Sequence, residues 1–252
     1  VRVPHVLSRY IENENVNLVH THLVGSALWA WEAARRTRVP VVHTLMHVYQ
    51  NTGRYERLIY RIGALKSMVS VFHGLSEYLS DELRTEFGVP GDRVTTIMSG
   101  IDTDSFVPAD QSSARRIAGM LQDQFVVGLC SRLHPDKRVD LAIRMHAVLV
   151  DTVPDALLVV AGSGPEESNL VSLAEDLGIR DSVVFLGTVS QVNQLLPAFD
   201  VYLQTTKGPN LGFSVLEALA CAKPVVIAAD SEREMAMAKD TLCGAECGVV
   251  AE

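Results

Sequence analysis

No uninterrupted apolar run in this chain of 252 residues approaches the roughly 18–20 residues that a membrane-spanning helix needs. No strongly basic amphipathic helix stands out for a membrane surface. Cysteine is scarce: Cys130, Cys221, Cys243 and Cys247 are the 4 present, too few and too dispersed for a disulfide scaffold. Cys243 and Cys247 have no His, Asp or second Cys pair beside them at zinc spacing. They read as reduced structural thiols, and the expected compartment is a reducing cytoplasm. Positive charge is short as well. The chain carries 22 Lys+Arg against 30 Asp+Glu, a formal net charge of −8, which argues against a general nucleic-acid binder. A local basic pocket for a phosphorylated small molecule stays compatible with that balance. Hydrophobic residues make up 48%, so the chain is expected to fold rather than stay disordered. Its length suits one large or two mid-sized domains. Residue 1 is Val rather than Met, so the true start is expected to lie upstream.

Strand-like and helix-like segments alternate throughout. NLVHT (17–21) and VVHTL (41–45) read as strands, separated by a helix over 22–38 that Pro40 stops. A helical pattern over 54–67 leads to a strand at 68–76. Ser76 and Ser80 offer caps for the helix carrying Leu79, Leu83 and Phe87, and Gly88 ends it. RVTTIMSGI (93–101) is the next strand. The polar segment from Asp102 to Gln124 reads as a boundary with one short helix. The alternation then restarts with strands at 125–133, 156–162, 183–187, 200–204 and 224–229. Helices are expected at 138–152, 166–177, 191–198 and 212–221. ALLVVAG (156–162) suits a central parallel strand buried on both faces. Alternation of this kind implies parallel sheets with helices on both sides, and the restart implies two Rossmann-like units.

Ligands of such sheets bind beyond the carboxyl ends of the strands. After the strand at 125–133 come Arg132 and Lys137. Two cations there can grip a diphosphate, Arg by a fork and Lys as a point charge; equally, a basic pair in a loop can be a solvated surface pair. GSGP (162–165), with Gly164, lets backbone approach a ligand closely. It lacks the third glycine of a dinucleotide fingerprint, since residue 167 is Glu. A tight strand-to-helix turn explains it as well as a ligand contact does. In TTKGPNLGFSVLEALACAKPVV (205–226) a helix starts near Gly212 or Phe213, and its free N–H groups form an anion site. Glu217 lies about one turn in. It can accept from a ribose diol, or it can complement the helix dipole. His20 and His22 project from one face of a strand, without an evident carboxylate partner for a metal.

CSRLHPDKRVDLAI, LLVVAGSGPEESNL, VVFLGTV, DVYLQTT and LGFSVLEALACAKPVV, in this order and spacing, resemble the nucleotide-binding domain of retaining glycosyltransferases of family 4. VHTH (19–22), HTLMH (43–47), GLSE (75–78) and SGIDTDSFVP (99–108) extend the resemblance over nearly the whole chain. It implies a GT-B fold of class α/β: two Rossmann-like domains with parallel sheets facing across a cleft. Residues 1–108 would form a partial acceptor-side domain, and 109–252 the nucleotide-sugar-binding domain without its last helices. The implied activity is transfer of a sugar from a nucleotide diphosphate sugar to an acceptor hydroxyl with retention of configuration. Carried over by position, Arg132 and Lys137 would contact the diphosphate and Glu217 the ribose hydroxyls. Thr188 and Val189 would meet the base, and Gly212, Phe213 and Ser214 the distal phosphate or sugar. His47 would approach the donor sugar, and Gly164 would line the donor site. No obligatory metal is expected; Asp102 and Asp104 have Asp-x-Asp spacing but lie in the boundary segment. The expected partners are the nucleotide-sugar donor and a sugar, lipid-linked or small-molecule acceptor, with no nucleic acid. The expected place is the cytoplasm, with peripheral association of the full-length protein at the inner membrane face left open.

Three departures accompany the resemblance. Pro209 stands where the family has a Glu eight residues before Glu217. Ala222 stands where a glycine usually precedes the Lys-Pro step. Asp230 and Ser231 replace a Gly-Gly turn. The resemblance also lacks the opening strand and Gly-rich loop, and it stops at residue 252. The 252-residue chain is therefore expected to transfer no sugar by itself. A non-catalytic sugar-nucleotide-binding paralogue or partner subunit, and a GT-B-type sugar-nucleotide epimerase, are the alternatives.

Overall fold

The computed structural model describes residues 2–46, 54–65, 67–206, 212–242 and 248–251. Two compact units divide the chain between Ser99 and Gly100.

The first unit opens with α1 (Val3–Asn13), β1 (Val19–His22), α2 (Val24–Thr37), β2 (Val41–Leu45), α3 (Arg54–Leu65), β3 (Val71–Gly74), α4 (Glu77–Thr85) and β4 (Val94–Thr96). The strands form one sheet in the order β1-β2-β3-β4, parallel at every pairing. The expected cap at Ser76 is present: its Oγ accepts from the Leu79 N–H at 3.2 Å. α1 lies outside the sequence expectations. Its buried stripe holds only Pro4, Ser8 and Ile11, and Ser8 Oγ is tied to the Pro4 and Ala33 carbonyls. The core gathers Trp31, Tyr60, Phe72, Leu83 and Phe87. Gly63 is required there, because a Cβ would sit 2.6 Å from the Trp31 ring.

The second unit holds α5 (Gln111–Ala118), β5 (Val126–Cys130), α6 (Val139–Leu149), β6 (Leu157–Ala161), α7 (Glu167–Asp176), β7 (Val183–Gly187), α8 (Val192–Leu195), β8 (Val201–Gln204), α9 (Phe213–Ala220), β9 (Val225–Ala228), α10 (Glu232–Thr241) and β10 (Gly248–Ala251). Its sheet has the order β10-β9-β8-β5-β6-β7, again parallel. From β5 the chain steps outward through β6 to β7, then returns to the other side of β5 and steps outward through β8, β9 and β10. That is the doubly wound order with its reversal between β5 and β8.

β6 is buried at every residue, as the apolar run implied. Leu157, Val159 and Ala161 join the cluster with Phe199, Tyr202 and Val215. Leu158 and Val160 point the other way, into the cluster with Leu129, Ile143 and Leu170. The period of two in a strand places alternate residues on opposite faces, so both faces are core. The helix expected over 191–198 is shorter: α8 ends at Leu195 and a 3-10 turn covers Leu196–Ala198. Pro197 has no N–H to continue an α-helical ladder.

Among the described residues of this unit, one charged side chain is buried against the starts of two strands. Arg115, 4% exposed, donates to the Ala198 carbonyl, the Gln122 carbonyl and Asp200 Oδ2. Asp200 also accepts from Val126 N–H and Gln111 Nε2. α5 is thereby fastened to the starts of β5 and β8. The pair is fully hydrogen-bonded, which is the condition for burying charge at tolerable cost.

Candidate functional site

The loop after β5 lies at the reversal of the second sheet, and its backbone is held from two sides. Ser131 N donates to Ala161 O at 3.0 Å, Leu133 N to Ser163 O at 3.0 Å, and Glu166 N to Leu133 O at 3.2 Å. These bonds press the β6 loop onto the Arg132 segment. A Cβ on Gly162 would lie 1.8 Å from Ser131 O, and one on Gly164 2.2 Å from Leu133 O. The close approach these glycines permit is therefore to the chain's own backbone around Arg132. From the other side, Thr205 Oγ1 donates to Lys137 O at 2.8 Å, linking the loop to the end of β8. Tyr202, fully buried on β8, exchanges hydrogen bonds with the backbone of Cys130 and is bonded to the Ser214 side chain.

With its backbone fixed, this loop presents cations with little to bind. Arg132 is exposed, and no hydrogen bond or ion pair engages its guanidinium among the described residues. Lys137 Nζ stands 3.7 Å from Asp136 Oδ2, beyond hydrogen-bonding distance. Burial would raise the Asp136 carboxyl, but the His134 hydrogen bond and the charges of Lys137, His134 and Arg132 outweigh it and lower its pKa. Arg138 differs: its Nη1 is 2.7 Å from Asp230 Oδ2. Asp230, standing where the resembling family has glycine, is thus joined to the loop after β5.

Glu217 faces the same place. It lies a little over one turn into α9, half-buried, and its carboxylate has no hydrogen bond or ion pair among the described residues. Burial raises its pKa. Burial first, and then the Glu217 charge, push the Cys130 thiol up to about 12, so that thiol stays protonated and is no nucleophile. α9 begins behind Gly212, whose φ of 76° and ψ of 168° suit glycine alone. Phe213 is 54% exposed. Thr188 follows β7, at the edge of the sheet, and its Oγ1 is 2.8 Å from Ser163 Oγ. Val189 packs against the core beside it.

The fold thus gathers Arg132, Lys137, Ser214 and Glu217 around the ends of β5 and β8, with Gly164 and Thr188 joined to them through the β6 loop. His47 and Pro209 lie outside the described residues, as do Cys243 and Cys247. Tyr202, Thr205 and the Arg138–Asp230 pair escaped the sequence reading. The one signal was the polar residue in each otherwise apolar strand end.

The first sheet also ends in polar groups. Register pairs His22 with Thr44 and Thr44 with His73, placing all three on one face, with His20 two residues before His22. The His20 and His22 rings are 4.3 Å apart. On the opposite face Thr21 pairs with His43. There Trp31 Nε1 donates to Thr21 Oγ1 at 3.0 Å, Thr21 Oγ1 is 2.8 Å from His43 Nδ1, and His43 Nε2 is 3.1 Å from the Tyr60 hydroxyl. Burial first, then the charges of His22 and His20, lower the His43 pKa to about 3; it is a neutral core residue. Among the described residues no three of His, Cys, Asp and Glu are gathered as for a metal ion, and no helix is long and apolar enough to cross a membrane.

Two doubly wound or partly wound parallel sheets with polar groups at their carboxyl edges define a chain of the GT-B class. The model of glycosyl transferases group 1 matches residues 110–250, and that of glycosyltransferase family 4 matches residues 1–105. The chain belongs to this glycosyltransferase family. A D-inositol 3-phosphate glycosyltransferase of Mycobacterium sp. (strain JLS) is 31% identical over 230 residues, 84% of this chain and 51% of the relative. The chain thus spans about half the length of the curated relatives it matches. A glycosyltransferase structure from Rickettsia africae ESF-5 superposes with a TM-score of 0.84 at 18% identity, over 100% of this chain and 66% of that one. Anabaena Alr3699/HepE in complex with UDP does so with 0.81 at 22% identity, over 98% and 68%.

Proposed function

We propose that the protein transfers a sugar from a nucleotide diphosphate donor to an acceptor hydroxyl with retention of anomeric configuration. One observation supports the reading: the loop after β5, at the reversal point of a doubly wound sheet, carries Arg132 and Lys137 without a hydrogen-bonded partner among the described residues, and Glu217 lies near Cys130 at the end of the same strand. Arg132 and Lys137 would neutralise the diphosphate as it departs, with help from the first N–H groups of α9. Glu217, ionised, would accept from the ribose diol. Cations held in a fixed loop need no reorganisation as charge develops, and no metal is required in this scheme. UDP, present in the Anabaena structure, is the nucleotide to test first. D-inositol 3-phosphate, named in the relatives, is the first acceptor to test.

The test is incubation of the full-length protein with UDP-sugars and that acceptor, reading released UDP and the anomeric proton of the product. Product with the donor's anomeric configuration supports the reading; inverted product overturns retention. UDP binding without either hydrolysis or transfer would favour a non-catalytic binding paralogue. Pro209 supports that second reading, since proline offers neither a carboxylate nor an N–H to a donor sugar.

A further inference from the structure

Three hydrogen bonds on one face of the first sheet have only one consistent direction when His73 is neutral. His73 Nε2 is 2.9 Å from the Ile97 carbonyl oxygen. A carbonyl only accepts, so Nε2 carries the proton. Nδ1 of a neutral imidazole is then an acceptor. Thr44 Oγ1, 2.9 Å from that Nδ1, must donate its single proton there. The Thr44 oxygen keeps lone pairs, and His20 Nε2 lies 2.7 Å from it. His20 therefore donates from Nε2, and its Nδ1 is left as a lone-pair acceptor.

That acceptor sits where a parallel sheet receives ligands. β1 ends at His22, β2 at Leu45 and β3 at Gly74, so His20, Thr44 and His73 all lie within two residues of a strand's carboxyl end. Thr44 is buried and His20 is exposed, so the chain runs from a fixed interior link to an open tip. His20 Nδ1 has no protein partner among the described residues. The groups facing it are His22 on its own strand, with Thr44 and His73 on the neighbouring strands. Burial, then the charges of His22 and His73, lower its pKa, which keeps the ring neutral at physiological pH.

We propose that the His20–Thr44–His73 chain is a hydroxyl-reading site for the acceptor, in which the chain locks His20 as its Nε2–H tautomer so that Nδ1 accepts a hydrogen bond from a polyol hydroxyl. His20 touches the acceptor; Thr44 and His73 are positioning residues. The assignment deepens the transferase reading and rests on it for the word acceptor. It gives the first sheet one oriented acceptor for a polyol O–H donor.

The test is long-range nitrogen–proton NMR on the full-length protein at pH 8, where an ordinary imidazole is neutral. His20 and His73 are both expected as Nε2–H tautomers. Thr44→Val should leave His20 as a mixture. His73→Asn, whose Oδ1 can accept from Thr44 in place of Nδ1, should preserve the His20 tautomer, and His73→Leu should not. Titration with D-inositol 3-phosphate, myo-inositol and glucose in the presence of UDP should shift His20 Nδ1 for at least one polyol, about tenfold more weakly in Thr44→Val. An Nδ1–H tautomer at His20, or no response there to any of the three polyols, overturns the proposal. Because binding is read without turnover, a responding His20 in a protein that transfers nothing would sink the transferase reading and leave the polyol site standing. In steady state, His20→Ala should raise the acceptor KM about tenfold, a larger effect than on donor hydrolysis, and His20→Asn should restore most of the loss. Equal loss of hydrolysis and transfer would mark a merely structural histidine.

Discussion

The two parallel sheets end in opposite chemistry. At the carboxyl edge of the first sheet, neutral polar side chains bond one another, His20 with Thr44, Thr44 with His73, Thr21 with His43 and His43 with Tyr60, and leave an uncharged acceptor, His20 Nδ1, open among the described residues. At the carboxyl edge of the second, Arg132, Lys137 and Glu217 carry charge and hold no hydrogen-bonded partner among the described residues. The same contrast recurs inside the second unit. Arg115 is buried with three acceptors, whereas Arg132 is exposed with none. The difference separates charges that hold the fold from charges that wait for a ligand. A buried arginine must be fully paired or it destabilises. A binding arginine is useful only while its donors are unspent.

The sharpest way to break this contrast is to remove the paired arginine. Arg115→Met removes a buried guanidinium and leaves the half-buried Asp200 and two carbonyls without their donor, and should cost about 2–3 kcal/mol of stability, read as a shifted urea midpoint. Arg132→Ala should move that midpoint by less than about 0.5 kcal/mol. If Arg132→Ala proves as destabilising as Arg115→Met, the division between structural and ligand-directed charge fails.

Binding should show the reverse order. Arg132→Ala and Lys137→Ala each remove a charge-assisted hydrogen bond, worth about 1.5–3 kcal/mol, so UDP affinity should fall roughly 10- to 100-fold in each. Calorimetry checks this. Lys137→Ala should have the smaller effect, since Asp136 already offsets part of its charge.

Glu217 sharpens the comparison because its two effects have opposite signs. Burial raises its folded-state pKa, so the folded protein holds that proton more tightly than the unfolded chain does. Its contribution to stability therefore falls as pH rises from the ordinary glutamate value through the raised one, and stays unfavourable above it. Glu217→Gln should flatten that part of the pH–stability profile and raise the melting temperature at pH 7. UDP should bind about tenfold more weakly to the variant, for want of a charged acceptor to the ribose. A variant that melts lower and binds normally would return Glu217 to a helix-dipole role.

The smallest effect belongs to Ala222. Its φ is 56°, the left-handed region that penalises a Cβ, and the related family usually has glycine there. Ala222→Gly should relieve up to about 1 kcal/mol, seen as a modest rise in melting temperature without change in UDP affinity.

The strands of the second unit were legible because runs such as ALLVVAG leave no other period, and Gly178 and Pro40 ended helices where expected. α1 was not, since a stripe of Pro4, Ser8 and Ile11 is too short and too polar to register as a face. α10 and β10 also went unread, the helix being mostly polar. That the loops bearing Arg132 and Lys137 and the helix bearing Glu217 follow the adjacent strands β5 and β8 comes from strand order, and those loops could be read from the strand ends. The histidine chain could not. His20 and His22 on one face were visible from the period of two, but Thr44 and His73 join them only through register across three strands. Arg138 and Asp230, 92 residues apart, follow β5 and β9, the two strands that flank β8, and only that strand order brings them within reach.

The central claim is that unspent cations after β5 read a diphosphate. Titrating UDP and uridine into the full-length protein and into the Arg132→Ala/Lys137→Ala double variant tests it most directly. The wild type should bind UDP at least 100-fold more tightly than uridine, and the double variant should bind the two within about tenfold of each other, the loss of charge-assisted bonds converted to affinity. A UDP preference that survives intact in the double variant would contradict the account.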